Sequence, residues 1–258
     1  MSWVAVSKTQ HSQKAIKQDK SFLFAKNIQF VPVCNFEIYT AVNTTPLFFL
    51  RLEEQVRLVC LLGLEKNTNL FVSGDGRWRT KFIPAIFQAY PFSIGAMENG
   101  GSALLCKEEA ECIVDRKQGE PFFNDDGSEG KVLKDYIQLL AKIKESNAYI
   151  LEACSLLTDL DLLKPMDLEI KKLDGKLVNI KGLLTIKEDE FRDLKGDKFL
   201  KLRDKHVLHL VYAHWCSINL MKDLILAQNQ IDQNAKGLEK LGLEIFENNS
   251  KELNFDTI

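Results

Sequence analysis

The sequence predicts an α+β fold in which antiparallel hairpins and a mixed sheet pack with several helices, ending in a long carboxy-terminal helix. Three observations carry that expectation. Apolar residues follow a period of two through the first half, glycine-containing turns punctuate them, and from Lys131 the period lengthens to about three and a half.

The elements follow in order. Leu47 to Leu50 and Val56 to Leu62 read as arms of a hairpin turning near Glu53 and Glu54. The second arm is almost wholly apolar, which places it deep in the sheet. Asn69 to Val72 and Arg77 to Arg79 flank SGDG, whose glycines accept the positive φ of a tight turn, and Trp78 then projects onto one sheet face. Lys81 to Tyr90 fits a short helix with Phe82, Ile86, Phe87 and Tyr90 on its buried side, Pro84 in its first turn and Pro91 closing it. Ser102 to Lys107 and Glu111 to Arg116 suggest another hairpin, followed by a polar loop. Leu133, Tyr136, Leu140, Ile143, Asn147, Ile150, Cys154 and Leu157 alternate spacings of three and four, the seam of a long helix or of a bent helix pair. Beyond Pro165, Asp174 and Gly175 mark a two-residue hairpin turn, followed by a short helix around Glu188 to Leu194 and a long one from about Lys205 to Gln230. The organisation expected is a flexible arm over residues 1–29, one domain over residues 30–236 with a lobe boundary near 124–130, and a loosely ordered tail over residues 237–258.

Composition excludes several function classes. With 34 basic and 36 acidic residues among 258, the formal charge of -2 gives no global field favouring nucleic acid or an anionic membrane. Lys8, Lys14, Lys17, Lys20 and Lys26 stand among Gln and Ser with no Arg, which describes a solvated arm rather than a nucleic-acid-binding one. No apolar run approaches the roughly 20 residues that span a bilayer, and no secretory signal is evident, so a cytoplasmic protein without integral membrane association is expected. Six scattered cysteines without a CxxC pair read as small buried hydrophobes kept reduced.

Candidate sites are few. KHVLHLVYAHWCSINL holds three of the four histidines, but it lacks the i, i+4 pair and intervening glutamate of a zinc helix, so no metal is expected. His214 and Ser217, three residues apart, can meet as base and nucleophile, although a packed, hydrogen-bonded pair is the plainer reading without an oxyanion hole or orienting carboxylate. SGDGRW has neither dinucleotide nor P-loop spacing, and Asn124 to Glu129 lacks the alternating ligands of a calcium loop, so no cofactor is expected. Arg77, Trp78 and Arg79, with Tyr90, offer a cationic and aromatic surface for a ligand or partner, against which stands Trp78 packing on the following helix. Asn147, midway along the helix seam, is a second candidate, either setting register against a partner or sitting at a solvent edge.

The blocks FVPV, LLGLE, NLFVSGDGRW, FIPAIFQAYPF, LVNIKGLLTIKEDEF and YAHWCSINL together resemble the bacterial SapC family from about Phe30 to Leu224. The linked NLF, DGRW, IPA and YPF blocks are the most specific, and Gln88 departs from the Arg expected in many relatives. The resemblance implies a link to bacterial cell-surface systems, since the family name comes from a surface-layer locus and relatives occur near outer-membrane receptor, cupin-like and halogenase genes. It carries over no catalytic residues. The function it implies is a non-catalytic accessory or adaptor that binds another protein, with self-association left open. The alternative is a small-ligand-binding protein or enzyme with a pocket between the Trp78 hairpin and the His214 helix.

Overall fold

The computed structural model describes residues 2–19, 21–96, 101–173 and 175–234. The first part of the chain runs through β1 (Val4–Ala5), α1 (Lys8–His11), β2 (Lys14–Ile16), β3 (Phe30–Pro32), α2 (Ile38–Ala41), β4 (Leu47–Leu52) and β5 (Gln55–Leu61). Next come α3 (Ala85–Gln88), β6 (Phe92–Ala96), β7 (Ser102–Cys106), β8 (Ile113–Asp115), β9 (Glu120–Pro121) and α4 (Lys131–Asp159). The remainder is β10 (Leu163–Lys171), β11 (Leu177–Ile186), α5 (Glu188–Arg192), α6 (Asp197–Asp204), α7 (Leu208–Ile218) and a further helix over residues 221–234. The fold is mixed α+β.

A five-stranded sheet of order β10-β11-β4-β5-β3 carries the larger core, and two three-stranded sheets, β1-β7-β6 and β8-β2-β9, flank the smaller one. Every ladder between these strands is antiparallel, which corrects the mixed sheet expected. The β4–β5 hairpin forms as the apolar pattern predicts, with Leu47 opposite Cys60 and Leu52 opposite Gln55 across the turn at Glu53 and Glu54. The expected pairing of residues 102–107 with 111–116 does not. A turn in which the Lys107 carbonyl accepts the Ala110 N–H (2.9 Å) sends β7 to pair with β6 and β1, and β8 to pair with β2.

The amino-terminal segment is not a free arm. β1 and β2 are built into the two small sheets, and His11 between them is fully buried, its Nε2 lying 3.0 Å from the Glu108 carboxylate. A Lys-, Gln- and Ser-rich composition misreads this stretch because strands of two or three residues are too short to register a period. Helix α4 is the spine joining the two cores. Val132, Leu133 and Leu140 from its first half belong to the smaller core, while Ile150, Ala153, Cys154 and Leu157 belong to the larger. Packing therefore crosses the loop at 124–130, since Phe122 and Leu133 on either side share one core.

The long carboxy-terminal helix is also corrected. His206 takes a positive φ of 56°, so α7 starts only at Leu208, and near Asn219 the Leu220 N–H bonds the Ser217 carbonyl (3.0 Å), tightening the turn before the helix at 221–234. Apolar spacing runs through both breaks, which is why the pattern hides them. Asp174 and the tail at 237–258 lie outside the described residues.

Where the β10–β11 hairpin meets the helix at 221–234, Lys172 is buried and its ammonium sits 2.6 Å from both Glu65 and Asp232. Replacing Lys172 by alanine leaves two partly exposed carboxylates facing each other. The expected loss is about 2 kcal/mol, less than for a fully buried pair because water reaches both acids. Hydrogen exchange over residues 221–234 should accelerate, and unchanged protection there would show that the ion triad does not hold the helix.

Candidate functional site

The Trp78 turn forms part of the lining of a concave surface. Gly76 has φ 83°, and a Cβ there would run into the Ser21 hydroxyl oxygen, so glycine is required both for the turn and for the approach of the Ser21 segment. The Gly76 carbonyl accepts the Phe22 N–H (2.7 Å), tying the two segments together. Val72 and Trp78 form only an isolated bridge, so the expected pair of strands around SGDG reduces to a tight turn. Asp75 closes it by accepting from Arg77 Nε (2.7 Å).

Trp78 is half-buried among Phe22, Phe71 and Phe87, with ring centroids 5.5 to 5.7 Å away. Its indole N–H donates to the Phe82 carbonyl (2.6 Å) and lies 3.1 Å from the Thr80 hydroxyl. Orientation is thereby fixed, and one side of the ring region faces an open groove of about 930 Å³ between this turn and α4. Phe22, Trp78, Ile83, Tyr136 and Leu139 give it an apolar and aromatic lining. Asp19, Asp75, Asp135 and Arg77 supply its charge. Gln88 also lines the groove and donates to the Ile83 carbonyl (2.6 Å).

The other sequence-predicted residues do not join this groove. Arg79 lines a separate cavity of about 220 Å³ against the 221–234 helix. Tyr90 stacks on Phe24 with centroids 3.7 Å apart. Asn147 accepts from Arg57 Nη1 (3.1 Å) beside a cavity of about 460 Å³ between α4 and β6. Arg57 comes from β5, so Asn147 ties α4 to the main sheet.

His214 and Ser217 are brought to the same place but not to each other as base and nucleophile. Ser217 donates to the His214 carbonyl (2.9 Å) and accepts the Leu47 N–H (2.9 Å). The Leu47 carbonyl can only accept, so His214 Nδ1 carries the proton and donates to it (2.8 Å), leaving Nε2 to accept from the Thr185 hydroxyl (2.9 Å). Burial holds the ring neutral by pushing its pKa down to about 4. β11 pairs with β4 only at Leu50 and Phe49, so Leu47 lies beyond the end of that ladder. The two α7 side chains satisfy both main-chain groups of Leu47, and His214 spans the gap to β11. Neither residue is among those lining the Trp78 groove.

Asp19, Ser21, Phe22, Asp135 and Leu139 are among the groove residues that sequence reasoning missed. The first three lie in the stretch read as an arm. Asp135 and Leu139 flank Tyr136 on α4 and were legible only as neighbours of its seam. Among the described residues no His, Cys, Asp and Glu cluster can hold a metal ion, and no helix is long and apolar enough to cross a membrane. Cys216 is exposed, unlike the other five cysteines, which are buried as expected.

The SapC family model matches residues 6–224, reaching back well before Phe30 and taking in β2 and His11. No curated protein and no solved structure matches the chain.

Proposed function

This chain belongs to the SapC family, and we propose that it is a non-catalytic adaptor serving the assembly, export or regulation of a bacterial cell-surface system by binding another protein. The link to the surface layer or to outer-membrane receptors rests on what the sequence resemblance implies. The observation that carries the adaptor reading is the groove beside Trp78. Its wall is made by the same DGRW and IPA blocks that mark the family in this sequence, through Asp75, Gly76, Arg77, Trp78 and Ile83. Its aromatic and aliphatic lining with a charged rim matches the anatomy of a protein-recognition surface. A cytoplasmic location, where Cys216 stays reduced, is part of the proposal.

The test is capture of tagged full-length protein from its own host, set beside Leu139→Arg, which places a long cation in the groove. Wild type should retain a reproducible partner and the variant should lose at least about nine-tenths of it, as expected when a hot-spot pocket is blocked. Equal recovery by both would place the partner surface elsewhere. Recovery of nothing by wild type would sink the adaptor reading.

A further inference from the structure

The groove has a charge pattern that the adaptor reading leaves unused. Three carboxylates, Asp19, Asp75 and Asp135, stand around it with one guanidinium, Arg77, which is already paired to Asp75 at 2.7 Å. Asp19 and Asp135 are exposed and have no ion-pair partner among the described residues. They come from two separate segments, Asp19 from the stretch after β2 and Asp135 from the first turns of α4. Trp78, Phe22 and Tyr136 line the same groove. Aromatic rings attract cations through their negative faces, and carboxylates at the rim add Coulombic attraction and orientation.

Building on the adaptor reading, we infer that the groove docks a basic segment of the partner protein, one in which Arg or Lys alternates with apolar residues. The apolar side chains fill the space over Ile83 and Leu139, and the cationic heads reach Asp19 and Asp135. A groove of about 930 Å³ has room for several side chains, whereas a lone ammonium ion would leave most of the apolar lining wet. An acidic segment is disfavoured, because it would bring like charges against Asp19 and Asp135.

Fluorescence anisotropy of labelled nonapeptides with full-length protein tests this directly. An alternating Arg–Leu peptide should bind, its Glu–Leu counterpart should bind at least about ten-fold more weakly, and added salt should weaken the former. The paired change Asp19→Asn with Asp135→Asn, at two exposed positions, should reduce affinity for the Arg–Leu peptide about ten-fold with no change in thermal midpoint. Leu139→Arg should abolish binding. The inference is overturned if the Glu–Leu peptide binds equally well, if the Asn pair leaves affinity unchanged, or if free arginine binds as tightly as the peptide. Host capture separates the two readings. A partner lost by Leu139→Arg but retained by the Asn pair removes the basic segment and leaves the adaptor, whereas a partner retained by both variants removes the groove from either role.

Discussion

Replacing Glu37 by alanine is expected to destabilise the protein by about 4 kcal/mol, the cost of leaving two buried donors without partners and opening a void. Glu37 is 7% exposed, and its two carboxylate oxygens accept from the Cys34 N–H (2.8 Å) and the Ala85 N–H (2.7 Å). The first bond closes a capping box at the turn before α2, and the second holds the start of α3. One side chain thus joins the main sheet's entry loop to the helix behind the groove. Glu37→Gln keeps one acceptor and turns its amide donors toward the other N–H, so it should recover no more than about half of the loss. Urea unfolding with an unchanged m-value measures both, and a Glu37→Ala variant within about 1 kcal/mol of wild type would mean that water or a rearranged loop satisfies those donors.

The second large effect belongs to His214 and depends on pH. Folded, its pKa is pushed down to about 4 by burial, while an exposed histidine in the unfolded chain titrates near about 6.5. Between those values the unfolded chain binds a proton that the folded chain refuses. The stability from the neutral ring is therefore complete above the unfolded pKa and falls by up to about 3 kcal/mol as pH drops toward 4. Glu37 acts in the opposite sense. Burial raises its carboxyl, against the hydrogen bonds from Cys34 and Ala85, so acidification relieves part of the cost of keeping it charged. The wild-type profile mixes both, and the difference between wild type and His214→Ala isolates the ring. That difference should be about 4 kcal/mol at pH 7, from the lost bonds to Leu47 and Thr185 and the void against Phe48 and Phe49, and should shrink by about 3 kcal/mol near pH 4. A gap that does not change with pH would show that His214 is protonated in the folded protein or reached by water.

Legibility in the sequence tracked the range of the interactions. The α4 seam was readable because a helix repeats its buried face every three or four residues, and the structure buries Leu133, Leu140, Ile150, Cys154 and Leu157 from that list. The β4–β5 hairpin was readable for the same reason at period two. The region after Lys205 was misread as one helix because a positive φ at His206 and a tightened turn at Asn219 leave the apolar spacing intact. Spacing alone sets His214 and Ser217 on one helical face, which is consistent with a packed, hydrogen-bonded pair as well as with a base and nucleophile. Nothing in that spacing reveals that both reach Leu47, more than 160 positions away in the chain.

By itself, the sequence determined the α+β class, the long helix, the principal hairpins, the turn glycine at position 76 and the family, all properties of local period, turn chemistry or linked short blocks. Only the tertiary structure decided that the amino-terminal segment is part of the fold, that His214 and Ser217 complete a strand rather than a reaction centre, and that Trp78 both packs in the core and borders a groove. The physical reason is common to all three. Each depends on which distant backbone or side chain fills the space beside a residue, and a hydrogen bond to Leu47 or a wall contributed by Asp19 and Leu139 leaves no periodic trace in the chain that makes it.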